Sequence, residues 1–253
     1  MLVDLHTHPL AHGTGSYDLE YLLPFLEQAQ KQKISVFGFS DHDLFLEDVD
    51  FSIKDKLNSF FPSLEVRLGL EVNYDPVREP DLKVLLKQFP FDYLIGSVHD
   101  LDGWMFDHPD YMDRYEKLDI DEFYSMYFSM VEKVVLSDLY PIIGHLDLAK
   151  VFAFRPTKNI FYWVEPLLQL IKKHDKVVEI NSTGLFKPVG EIYPEPKIIE
   201  RMFALNIPIT IGSDAHEAEH VGRAGQEIYE LLRKIGYNKI AIFTDFKRDI
   251  VAL

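Results

Sequence analysis

The chain predicts an α/β fold, a closed (β/α) barrel that is complete or one unit short, and three observations carry that reading. Short β-rich runs alternate with longer amphipathic segments along the whole length. No Gly-, Ser- or Pro-rich linker divides the 253 residues, so one domain over 1–253 is expected. Strand after strand ends in a His, a carboxylate or an amide, and the C-terminal strand ends are where barrel enzymes build their sites. An open doubly wound sheet is the competing arrangement, but no Gly-rich phosphate fingerprint follows the first strand.

The predicted strands are Leu2 to His6, Ile34 to Ser40, Val66 to Val72, Tyr93 to Val98, Tyr140 to His145, Val177 to Asn181 and Ile207 to Ser213, with Lys239 to Phe243 as a possible eighth. Helical patterns cover Asp18 to Lys33, Asp81 to Gln88, Asp121 to Ser137, Ile160 to His174, Pro196 to Leu205 and Gly222 to Ile235. Ser16 and Asp119 are the expected caps of the first and third of these. Asp100 to Asp119 is too long for an ordinary connection, so it reads as a functional loop or a partly helical excursion. Its Trp104 and Phe106 either present aromatic faces to a ligand or anchor the loop.

Composition narrows the chemistry. With 41 acidic and 26 basic residues the net charge is -15, which argues against sequence-independent nucleic-acid binding and against adhesion to anionic membrane. Cysteine is absent, so a disulfide framework, a thiolate metal site and a Cys nucleophile are excluded. Any metal must be held by His and carboxylates. The first residues form no secretory signal, and no apolar run is long enough to span a bilayer, so a cytoplasmic protein is expected.

The histidines are the most informative feature. His6 and His8 close the first strand at a spacing that points both rings to one side of an extended chain. The second strand ends Ser40-Asp41-His42, the third Glu71-Val72-Asn73, the fourth Val98-His99, the fifth Gly144-His145, the sixth Glu179-Ile180-Asn181 and the seventh Asp214-Ala215-His216. Any one of these is an ordinary hydrogen-bonded strand end. Seven together are a site. Without sulfur the donors suit Zn, Mn or Fe, and they exceed what one ion can use, so two or three divalent ions are implied, with Glu71 or Asp214 able to bridge. Close metals of this kind serve phosphoryl displacement. A mononuclear amidohydrolase would also open with His-x-His but usually adds a Lys on strand four, which is missing here, and a metal-storage protein has no need of one ligand per strand.

The set His6-x-His8, His12, His42, Glu71, His99, His145 and Asp214-x-His216 resembles the polymerase and histidinol phosphatase (PHP) superfamily, nearly end to end. The strings Gly96-Ser-Val-His99, Tyr140-Pro-Ile-Ile-Gly-His145 and Asn181-Ser-Thr-Gly-Leu-Phe186-Lys187 are similar to its monofunctional histidinol-phosphatase branch. The resemblance implies a distorted (β/α)7 barrel with one ion on His6, His8, Glu71 and Asp214, a second on Glu71, His99 and His145, and a third on His12, His42 and His216. It implies hydrolysis of L-histidinol phosphate in histidine biosynthesis, with other small phosphoesters or a nuclease removing terminal nucleotides as alternatives. Phe186 stands where the family typically has Arg, which leaves Arg155 and Lys187 to hold the phosphate. Asp41 or a bound water is the candidate proton donor. His108, His174 and His220 fall outside the set.

Overall fold

The computed structural model describes residues 1–253. Seven strands form one parallel ring in chain order: β1 (Leu2–Asp4), β2 (Ile34–Phe39), β3 (Glu65–Asn73), β4 (Tyr93–Ser97), then, past a short hairpin of β5 (Asp100–Leu101) and β6 (Trp104–Met105), β7 (Ile142–Ile143), β8 (Val177–Asn181) and β9 (Ile209–Gly212). The ring closes beyond the strand ends. Leu5 N–H donates to the Ile211 carbonyl at 2.9 Å, Asp214 N–H to His6 at 2.7 Å and His8 N–H to Ala215 at 2.8 Å. This is the distorted (β/α)7 barrel, and its closing seam runs between the two segments that carry His-x-His and Asp-x-His.

The helices α1 (Leu19–Lys31), α2 (Ile53–Phe60), α3 (Glu79–Leu85), α4 (Ile120–Leu136), α5 (Phe161–Lys173) and α6 (Pro196–Ala204) fill the crossovers, and α7 (Gly225–Ile235) follows the last ring strand. Asp119 caps α4 as expected, accepting from the N–H groups of Asp121 and Glu122. Ser16 does not cap α1. Asp18 holds that position, and the Ser16 hydroxyl instead donates to the Asp18 carboxylate. Helix α2 was not expected, because Ile53 and Leu57 are its only buried side chains and one such pair makes no periodic signal.

The possible eighth strand does not join the ring. Lys239–Thr244 is β10, paired antiparallel with β11 (Lys247–Ala252) across Asp245 and Phe246, both with left-handed backbone of the kind two-residue hairpin turns use. A closed ring offers no free edge to an eighth strand. The hairpin packs instead under the N-terminal strand ends, where Arg67 Nε donates to the Phe243 carbonyl at 3.0 Å and Asp92 accepts from Asp245 N–H. Directly above, Tyr93 crosses the barrel interior, its hydroxyl donating to the Leu5 carbonyl at 2.6 Å. No helix is long and apolar enough to cross a membrane.

The excursion after β4 is partly helical, with a 3-10 segment over Pro109–Lys117. Trp104 and Phe106 are buried beneath it against Phe123, and Tyr115 closes over Trp104. They anchor the loop by apolar burial and present no face to a ligand.

Candidate active site

Glu71 is the centre of the site, almost wholly buried at the end of β3. Its Oε1 lies 3.0 Å from His99 Nε2 and 2.9 Å from His145 Nε2, while Oε2 lies 3.0 Å from His42 Nδ1, 3.3 Å from His6 Nε2 and 3.5 Å from His8 Nε2. His8 Nε2 is also 3.3 Å from Asp214 Oδ1. His12 and His216 extend the cluster outward, with ring centroids 4.5 Å apart, and His216 stacks on His8 at 4.3 Å. The structure therefore brings together all nine residues named as ligands from the sequence.

Backbone geometry sets these side chains. His12 and Asp214 both hold positive φ, at 60° and 55°, which turns the chain sharply at the barrel mouth. An aspartate tolerates that region more readily than most residues, and strained backbone of this kind clusters at functional sites.

Burial and charge divide the histidines into two states. Burial pushes His8 well down, with His42 and His216 adding to the effect, and burial likewise holds His216 down to about 4. Both are neutral imidazoles at neutral pH, the form that binds metal. Burial also disfavours charge on His6 and His99, but the surrounding carboxylates outweigh it and raise both well above the ordinary imidazole value. Glu179, Glu71 and Asp214 act on His6, and Glu71 and Asp107 on His99. Burial would raise Glu71, yet His6, His99 and His42 hold it well below the usual carboxylate range. The pocket balances buried anions with protons on imidazoles, a balance that bound cations satisfy equally. His6 Nε2, both ring nitrogens of His8, His145 Nδ1 and His216 Nε2 are buried without a hydrogen-bond partner. Polar atoms are rarely buried unpaired, and a set of orphaned imidazole nitrogens around carboxylates is what a metal centre needs.

Within the site three triads have donor atoms within 4.8 Å of one another: His6, His8 and Glu71; His42, Glu71 and His99; and His8, His42 and His216; a fourth, of Glu217, Glu219 and His220, lies on the loop beyond His216. Two carboxylates that the sequence reading left out of the site support these rings. Glu179 Oε1 is 2.5 Å from His6 Nδ1, and its Oε2 accepts from His145 N–H at 2.9 Å. Asp107 Oδ2 is 2.7 Å from His99 Nδ1. The available signal was the strand-end position of Glu179; Asp107 sits in an irregular loop that gives none. Carboxylates behind ligating histidines orient the ring and select its tautomer.

The remaining candidates are placed differently. Asp41 is buried, and burial lifts it to about 7, but its oxygens accept from Leu10 N–H at 2.8 Å and the Tyr17 hydroxyl at 2.9 Å. It holds the loop that carries His8 and His12 and is not an open proton donor. Arg155 is paired with Glu191 at 2.7 Å and Glu195 at 3.2 Å, so its charge is already matched. Lys187 is exposed on the turn after β8, close enough to His12 for its charge to disfavour protonation there. His108 is exposed, His220 is half-buried, and His174 follows the end of α5.

The PHP domain model matches residues 4–183, and a PHP-associated model matches residues 200–234. The chain belongs to the PHP family. A probable histidinol-phosphatase of Deinococcus radiodurans is 32% identical over 246 residues, covering 92% of both chains. One of Thermotoga maritima is 28% identical, covering 95% of both. Among solved structures, the histidinol phosphate phosphatase of Lactococcus lactis, complexed with zinc, L-histidinol and phosphate, superposes with a TM-score of 0.79 at 21% identity, covering 98% of both chains. At that identity the likeness carries the fold.

Proposed function

We propose that this PHP protein is a metal-dependent phosphatase that hydrolyses L-histidinol phosphate to L-histidinol and inorganic phosphate, one phosphoesterase unit spanning residues 1–253. The carrying observation is the buried Glu71 carboxylate within 3.5 Å of five imidazoles, beside ring nitrogens that have no partner. Relatives matched over more than nine-tenths of their length carry the name probable histidinol-phosphatase, which supports this substrate over other small phosphoesters. A biosynthetic role of this kind belongs in the cytoplasm.

The donors fit two or three divalent ions, Zn, Mn or Fe, held by His6, His8, Glu71 and Asp214, by Glu71, His99 and His145, and by His12, His42 and His216. When bound, such ions polarise phosphoryl oxygens and bring the pKa of water toward neutrality. Glu179 and Asp107 keep His6 and His99 in register, and the burial that keeps His8 and His216 neutral leaves their nitrogens free as donors. In the overall reaction a water oxygen bonds to phosphorus, the bond from phosphorus to the ester oxygen breaks, and the departing alkoxide takes a proton. Lys187 adds positive charge at the rim, and Asp41 secures the ligand-bearing loop. The acidic surface favours a substrate carrying an amine and an imidazole over a polynucleotide.

Phosphate release from L-histidinol phosphate, a nucleoside bisphosphate and a short oligonucleotide, with metal analysis of the same sample, tests the proposal. The expected result is turnover of histidinol phosphate and more than one metal per chain. Turnover confined to either nucleotide substrate overturns the substrate, and loss-free activity after complete metal removal overturns the mechanism.

A further inference from the structure

We propose that Arg223, on the loop after β9, grips the phosphoryl group of the substrate, held in place by the ring of Phe186. The cations around the site differ in how they are matched. Arg155 is neutralised by Glu191 and Glu195, and Lys150 by Asp147 at 3.0 Å and Glu191 at 3.2 Å. Arg223 forms no ion pair. Its guanidinium carbon lies 4.3 Å from the Phe186 ring centroid, its Nη2 donates to the Thr183 hydroxyl at 2.6 Å, and its Nε is buried without a partner. A part-buried cation with no direct ion pair, on which Asp214, Asp4 and Glu217 act only through space, has donors left for an arriving anion.

Its place relative to the metal ligands is set by a short chain of contacts. Thr183 N–H donates to Asn181 Oδ1 at 2.9 Å, and Asn181 Nδ2 approaches Asp214 Oδ2 at 3.4 Å. The guanidinium therefore stands over the turn that follows β8, one residue network away from Asp214. The flat Phe186 ring serves as a platform on which a guanidinium from another loop is laid. A planar fork with an unused Nε–H suits two oxygens of a phosphate monoester.

The proposal rests on the phosphoester reading above, and the test separates the two. Binding of inorganic phosphate to the zinc-loaded protein is measured by calorimetry for the wild type, Arg223→Ala, Arg223→Lys and Phe186→Ala, with metal content and thermal unfolding on the same samples. Arg223→Ala is expected to weaken phosphate binding and lower kcat/KM by about 10- to 100-fold with unchanged zinc content. Arg223→Lys should recover part of the loss, because charge returns without the fork, and Phe186→Ala should show a smaller loss in the same direction. Wild-type phosphate affinity in both Arg223 variants overturns the proposal, as does a change confined to thermal stability. Should Arg223→Ala fail to fold, the Lys and Phe186 variants decide by the same measurement. If the wild type leaves histidinol phosphate untouched while Arg223→Ala still weakens phosphate binding, the substrate reading falls and the role of Arg223 stands.

Discussion

Glu179 shows how much of this site depends on a side chain that need not touch a metal. One of its oxygens faces His6 Nδ1 and the other accepts from the His145 backbone, so a single buried carboxylate orients two histidines from different strands. Glu179→Gln keeps the shape and removes the charge. Metal affinity, read by competition with a chelator, is expected to fall about 10- to 100-fold, with activity falling alongside it. Unchanged affinity would show that His6 orients itself. Eight of the nine proposed ligand positions were legible at this scale because they fall at strand ends, where chain direction and residue type are both readable, while His12, in the turn after β1, came only from the family resemblance. The roles of Asp41 and Arg155 were not, because whether a carboxylate or guanidinium is free depends on Tyr17, Glu191 and Glu195, which are distant in sequence.

Among the elements, β9 carries the tightest constraint. A Cβ at Gly212 would lie 2.2 Å from Glu179 Oε1 and 2.4 Å from His6 Cβ, so β9 can approach β1 and β8 closely only with glycine there. Gly212→Ala must displace the buried pair of His6 and Glu179 or push β9 outward. A cost of about 1–3 kcal/mol is expected, read as a lower unfolding midpoint, together with reduced metal content. A variant that unfolds at the wild-type midpoint with full metal would contradict this close approach. Periodicity located the seven ring strands and six of the helices, while α2 escaped because two buried side chains leave no pattern.

For the molecule as a whole, the proposed metal ligands straddle the line along which the barrel closes. His6 and His8 follow β1, Asp214 and His216 follow β9, and the hydrogen bonds of Leu5, His8 and Asp214 join the two segments. Ions held across this seam would act as clasps, binding the closed ring and not the open chain. Saturating zinc at about 1,000 times its dissociation constant adds about 4 kcal/mol per site, and a chain of this size shifts by about 2–4 °C per kcal/mol, so chelation should lower Tm by on the order of 10 °C for each occupied site. Equal midpoints with and without chelator would mean that the clasp contributes nothing to closure.

The alternation of strand and helix and the absence of a linker were enough to read a (β/α) barrel, complete or one unit short, and the polar strand ends to read a metal site, because both depend on local period and chain direction, while the (β/α)7 form and the full ligand set were implied by the resemblance to the PHP superfamily. Three features were decided only by the tertiary structure. The C-terminal hairpin lies under the barrel because a closed ring has no edge to offer it; Trp104 and Phe106 are spent on burial; and Arg155 is ion-paired while Arg223 is not. Each depends on which distant residue fills the space beside it, and a linear pattern does not contain that information.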